Sequence, residues 1–106
     1  MSQYTVYRNT SPNSREQYPY FIDIQNELLS DIDSRVIMPI SLLVNKNSQV
    51  KIITPVIEIS NLKYVIMTKS ITTLPKDRLK VSNIVCIKPE VHSSIVATMD
   101  LIISGI

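Results

Sequence analysis

The chain has 106 residues, 44% of them hydrophobic and 19% charged, a composition that suits one folded domain spanning residues 1–106 and excludes a disordered chain. Eleven Lys and Arg stand against nine Asp and Glu, and the resulting charge of +2 is spread along the sequence without the basic run that marks most nucleic-acid binders. Cys86 is the only cysteine, which excludes an internal disulfide and a disulfide-built secreted fold.

Most apolar segments are short and β-branched. Tyr4–Arg8 is a candidate strand, and Tyr20–Gln25 is another, with Ile22 and Ile24 alternating against Asp23 and Gln25. Asn9–Ser14 between them is a long turn. Leu28-Leu29-Ser30-Asp31 forms a short exposed excursion, followed by a strand at Val36–Met38 that Pro39 closes. Asn45–Ser48 turns the chain. Val50–Ile53 and Val56–Ile59 are separated by Thr54-Pro55, where the proline implies an edge or a bend. Ser60-Asn61 is a further turn, and Tyr64–Thr68, Ile71–Leu74 and Ile84–Ile87 complete the strands. Gly105 is the only glycine, so the turns must use Asn, Ser, Asp and Pro instead. Many short strands with turns between them predict a barrel or a sandwich.

The last segment changes character. Pro89 and Glu90 suit the first turn of a helix, and nothing breaks it before Gly105. Val91, Ile95, Met99, Ile102 and Ile106 fall on one helical face, which Val96 and Ile103 widen and to which Leu101 adds on another side. A helix lying on a barrel needs one apolar stripe, so the extra apolar residues near its end predict a partner or dimer contact. A small core also favours dimerisation. Gly105 is read as a helix cap with Ile106 folding back on Leu101, or as an exposed apolar tip.

Catalytic chemistry is sparse. No glycine-rich phosphate loop is present, and one Cys with one His does not suit a transition-metal site, so neither metal nor cofactor is expected. Cys86, within Ile84-Val85-Cys86-Ile87, reads as a small buried hydrophobe, and His92 as a solvated helix residue. Asp31 and Asp33 read as solvated turn residues. Arg8, Arg15, Arg35 and Arg78 are scattered in sequence, although folding could gather two of them, so a metal-free nuclease site stays open. No stretch approaches the roughly 18 apolar residues of a membrane span, and the polar start lacks a signal-peptide pattern, so a cytoplasmic protein is expected.

The order of segments resembles the CcdB family of toxins. Tyr20-Phe21-Ile22-Asp23-Ile24-Gln25, Leu28-Leu29, Arg35-Val36-Ile37-Met38-Pro39-Ile40, Thr54-Pro55-Val56-Ile57-Glu58-Ile59, Val65-Ile66-Met67-Thr68 with Leu74-Pro75, and the end in Gly105-Ile106 carry the likeness over nearly the full length. The resemblance implies a mainly β fold with one C-terminal helix, an SH3-like small β-barrel bearing a β-wing, assembled as a homodimer. It further implies a non-enzymatic toxin of a type II toxin–antitoxin system, of the kind that serves plasmid maintenance. Such a toxin binds the DNA gyrase A subunit, traps the cleavage complex, and is neutralised by a CcdA-like antitoxin. Carried over, the gyrase-binding positions are Ser104, Gly105, Ile106, Asp100, Ile103, Leu28 and Leu29. Two departures stand out: Ser104 occupies the place where the best-known plasmid-borne member has tryptophan, and Asp100 the place of an asparagine. The alternatives are an endoribonuclease toxin of the MazF/Kid type, for which Arg78 with Thr72 or Thr73 is the group to test, and a family member that binds antitoxin without poisoning gyrase.

Overall fold

A computed structural model describes residues 2–29, 32–43 and 54–104. The strands are β1 (Thr5–Arg8), β2 (Tyr20–Asp23), β3 (Ser34–Leu42), β4 (Val56–Ile59), β5 (Leu62–Ile66), β6 (Thr72–Pro75) and β7 (Ile84–Ile87), and the helix α1 (His92–Ser104) ends the described chain. All pairings are antiparallel. The sheet runs β4-β5-β3-β2-β1-β7, with β6 beside the first half of β3, and curls into a half-barrel. This is the mainly β architecture with one C-terminal helix that the sequence predicts.

One face of the sheet carries the main core. Val6, Ile22 and Met38 lie in a row across β1, β2 and β3, and Tyr20, Ile40 and Ile66 form the next. Ile57, Ile59 and Tyr64 extend it, and Val91 and Ile95 cover it, with Met99 packed against its margin. Each fully buried aliphatic side chain here contributes about 1.5–3 kcal/mol. The other face is not left to water. Tyr7, Ile37 and Leu79 form a second cluster, with Phe21 and Leu74 against it. The central strands are therefore buried on both sides, and the alternation over residues 20–25 does not divide a buried face from a solvated one. Asp23 and Gln25 are buried, not solvated.

Several boundaries also differ from the sequence reading. β3 does not stop at Pro39 but runs through it to Leu42. The Pro39 carbonyl accepts the Met67 N–H, so its nitrogen faces the same side. There β3 passes from β6, paired at Ser34–Ile37, to β5, paired at Ile40–Leu42. Proline thus sits at the one joint where no ladder donor is needed. β5 ends at Ile66, and Thr68 begins a 3-10 turn. β6 starts at Thr72, leaving Ile71 outside it and exposed. The predicted strand at Val50–Ile53 and turn at Asn45–Ser48 lie outside the described residues.

The turn chemistry follows from the scarcity of glycine. Ser60 and Asn61 join β4 to β5 with φ of 53° and 69°, the pair of left-handed residues that a two-residue hairpin demands. Asn9 organises the long turn with its side chain. Its Oδ1 accepts the Ser11 N–H, and its Nδ2 donates to Ser14 Oγ and the Tyr18 carbonyl. Pro89–Val91 forms a 3-10 turn that leads into α1, a tighter entry than the single helix read from sequence.

Candidate partner-binding site

Apolar side chains stand in water at several points of the surface, Leu62 and Val81 among them, and two of these places carry site positions predicted from the sequence. The first is the connection between β2 and β3. Glu27–Leu29 is one 3-10 turn, closed by the Leu28 N–H donating to Asn26 Oδ1 at 2.8 Å, and Leu28 is 90% exposed. Leu29 follows it in the same turn. The second is the end of α1. The stripe read from sequence meets the core only as far as Met99; Ile102 is exposed, and so are Val96 and Leu101. Ile103 is 78% exposed. Thr98, not part of the predicted stripe, is buried, its hydroxyl donating to the Ser94 carbonyl. The helix therefore turns one face to the sheet for two turns, and its last turn is apolar without a covering surface among the described residues.

Asp100, Ile103 and Ser104 share that last turn, at spacings that put them on one side of the helix. The Ser104 hydroxyl is turned back onto the Asp100 carbonyl. Leu28 sits apart from them, on a strand connection. Gly105 and Ile106 lie outside the described residues, so both readings of the cap stay with the sequence.

The structure places the other candidate groups differently. Arg35, scattered in sequence, is fully buried and forks onto Asp23: Nε donates to Oδ2 at 2.8 Å and Nη2 to Oδ1 at 3.0 Å. Register explains the meeting. Asp23 faces Ile37 across the ladder, and Arg35 is its diagonal neighbour on the same face. Burial pushes the Asp23 carboxyl above its usual range, while the Gln25 N–H and Arg35 pull it back. His92 is exposed, as expected, but not simply solvated, since its Nδ1 is hydrogen-bonded to the Tyr4 hydroxyl and the rings meet edge-on at 5.6 Å. Cys86 is half-buried, and burial raises its thiol, with Lys88 opposing and Glu90 adding to the shift. Asp33 is exposed; Asp31 lies outside the described residues.

For a nuclease reading, the relevant feature is a cavity of about 180 Å³ over the second face. Arg8 and Arg78 both line it, above Phe21 and Leu79. Thr72 and Thr73, proposed from sequence as partners of Arg78, are exposed on β6 and are not part of its wall. Among the described residues, no group of three or more His, Cys, Asp or Glu could hold a metal ion, and no helix is long and apolar enough to cross a membrane.

Residues 3–105 match the model of the CcdB protein family, and the chain belongs to that family of toxin–antitoxin toxins. No curated protein sequence matches it.

Proposed function

We propose that this CcdB-family chain binds the DNA gyrase A subunit and traps the gyrase–DNA cleavage complex. In this reading it is a homodimeric, cytoplasmic toxin that acts by protein binding and not by catalysis, and a CcdA-like antitoxin neutralises it. The observation that carries the reading is the exposure of Leu28 and Ile103, two aliphatic side chains at positions the family likeness assigns to gyrase contact. Large apolar groups held in water mark interaction surfaces when they cluster, and Val96, Leu101 and Ile102 stand exposed on the same helix as Ile103. Purified protein with gyrase, ATP and supercoiled plasmid, stopped with detergent and protease, should yield linear DNA in proportion to added protein. Truncation of Ser104–Ile106 should abolish this while leaving the fold intact. Light scattering should report a dimer at micromolar concentration; a monomer would remove that part of the reading.

One observation favours the non-poisoning alternative. Tryptophan is a frequent interface anchor, and Ser104 offers neither its area nor a free hydroxyl, since the Asp100 carbonyl takes that proton. Loss of such an anchor costs about 2–4 kcal/mol, or roughly thirty- to a thousandfold in affinity. Tight antitoxin binding with no gyrase complex would establish this form. The shared cavity of Arg8 and Arg78 is what a ribonuclease reading would rest on; intact RNA after incubation with concentrated protein would dismiss it.

A further inference from the structure

The buried ion pair has no place in the binding surface, and nothing so far accounts for it. Asp23 and Arg35 are both fully buried, and Arg35 Nη1 has no hydrogen-bond partner among the described residues. Two charges taken out of water, with one donor left unmet, are not the most stable filling for such a site; well-packed apolar side chains commonly do as well or better.

The remaining bonds of the pair show what it does. Among the described residues, its other side-chain bonds fall on one short stretch of chain. The Gln25 N–H donates to Asp23 Oδ1 at 3.0 Å, and Arg35 Nη2 donates, at a longer 3.4 Å, to the Gln25 carbonyl. Gln25 Oε1 in turn accepts the Val36 N–H at 2.9 Å, and the Ile24 N–H donates to the Val36 carbonyl at 3.0 Å. Beyond β2, therefore, residues 24 and 25 are tied to β3 by polar groups, after the strand ladder has ended at Asp23. Asn26 then closes the turn onto Leu28. Asn26, Glu27 and Leu28 are all exposed, so packing of these three side chains contributes little to holding the turn.

We infer that Asp23, Arg35 and Gln25 are positioning residues that fix how the Glu27–Leu29 turn leaves β2 and so present Leu28, pre-ordered, to the partner. The presentation part rests on the gyrase reading of Leu28; the ordering part does not. Fixing a contact residue before binding removes an ordering cost from association.

The test uses the full chain. Asp23→Leu with Arg35→Met replaces the pair by apolar side chains and should fold, with a urea midpoint at or above that of the natural protein. Amide exchange at Gln25 and Leu28 should quicken by about tenfold or more, while Ile22 and Ile40 keep their protection. Affinity for a gyrase A fragment should fall by about tenfold, and Leu28→Ala should then cost less affinity than it does in the natural chain. Unchanged exchange at Gln25 and Leu28 in the folded double variant overturns the inference. So does a Leu28→Ala penalty equal in both backgrounds. If the double variant fails to fold, Arg35→Lys decides. Its ammonium keeps a charge beside Asp23 but lacks the fork that also spans Gln25, so unchanged exchange there overturns the proposal and faster exchange supports it. Faster exchange with no gyrase binding by either protein upholds the ordering role and rejects gyrase as the partner.

Discussion

The two ends of α1 offer the same substitution in opposite surroundings. Ile95→Ala and Ile103→Ala each remove the same carbons from one helix. Ile95 is 3% exposed within the main core, so its truncation leaves a cavity and should cost about 2–5 kcal/mol. Ile103 is 78% exposed, so little of its side chain was removed from water on folding. Alanine is the better helix former by a few tenths of a kcal/mol, and Ile103→Ala should leave stability unchanged within about 0.5 kcal/mol. Binding reverses the order. If a partner covers Ile103, losing that contact costs about 1.5–3 kcal/mol, roughly ten- to a hundred-and-fifty-fold in affinity. Urea unfolding at two protein concentrations gives the first quantity, and calorimetric titration of a gyrase A fragment gives the second. A midpoint for Ile103→Ala lowered as far as that for Ile95→Ala, independent of concentration, would show that the helix end packs within its own chain. A lowering seen only in dilute protein would place Ile103 in a contact between two copies of the chain. Unchanged affinity for gyrase would remove Ile103 from the binding site.

Three further outcomes follow from particular residues. Ser60→Asn with Asn61→Gly installs the preferred hairpin pair at two left-handed positions and should stabilise the fold by about 1 kcal/mol, read as a rise in melting temperature of roughly 4–8 °C. Tyr4, Tyr7 and Tyr64 have hydroxyls raised above 10.0 and Cys86 a thiol raised above 9.0, burial being the first cause in each. The folded state then keeps protons that the unfolded state sheds, so stability should hold below pH 9 and fall as pH climbs past 9 and then 10; urea midpoints that stay level to pH 11 would contradict this. Ser104→Trp restores a stacking surface and should raise gyrase affinity by roughly thirtyfold or more, with equal affinity showing that the contact surface lies elsewhere.

Much of this fold is legible in the chain because its strands are short and bounded. β7 coincides with Ile84–Ile87 as read, and β4 with Val56–Ile59. The Ser60-Asn61 turn is legible because nothing else nearby tolerates a left-handed backbone. The exposed Leu28 and the doubly apolar end of α1 are also foreseen, since each exceeds what a one-sided core can absorb. What the chain does not declare is the second buried face. Alternation identifies which residues point together, but not whether the opposite side meets water or the segment carrying Leu79. The burial of Asp23, Gln25 and Arg35 is therefore not declared by the alternation. An available signal is register: once β2 and β3 are aligned, a carboxylate and an arginine stand diagonally on one face. Pro39 misleads for a related reason. A proline forbids a central strand only where its missing donor is needed, and a strand with two successive partners on one side offers a position where it is not.

Asn9 joins the sequence reading of a turn to the shape of the cavity below it. It is buried, and its side chain spends both ends on the loop. The Ser11 N–H reaches its Oδ1, while Ser14 Oγ and the Tyr18 carbonyl take its Nδ2 protons. Its backbone N–H is bonded to the Pro19 carbonyl, so the residue pins both sides of the loop to the end of β1. Asn9→Ala would leave the half-buried Ser11 N–H and Tyr18 carbonyl without this partner, at about 1 kcal/mol, since water reaches part of each. Asn9→Asp is the sharper comparison. It keeps the acceptor for Ser11 but sets a carboxylate oxygen against the Tyr18 carbonyl, where two acceptors repel. If the side chain acts through both ends, Asn9→Asp should destabilise at least as much at neutral pH as Asn9→Ala, and should recover as acid protonates it. If only the Ser11 bond matters, Asn9→Asp should be close to the natural protein at every pH. Because Ser11 and Ser14 wall the cavity that Arg8 and Arg78 share, the same pair of variants also tests whether that cavity needs its wall. Any ligand of the two arginines should bind more weakly to Asn9→Ala, while binding of a partner at the exposed end of α1, a different element, should be unaffected.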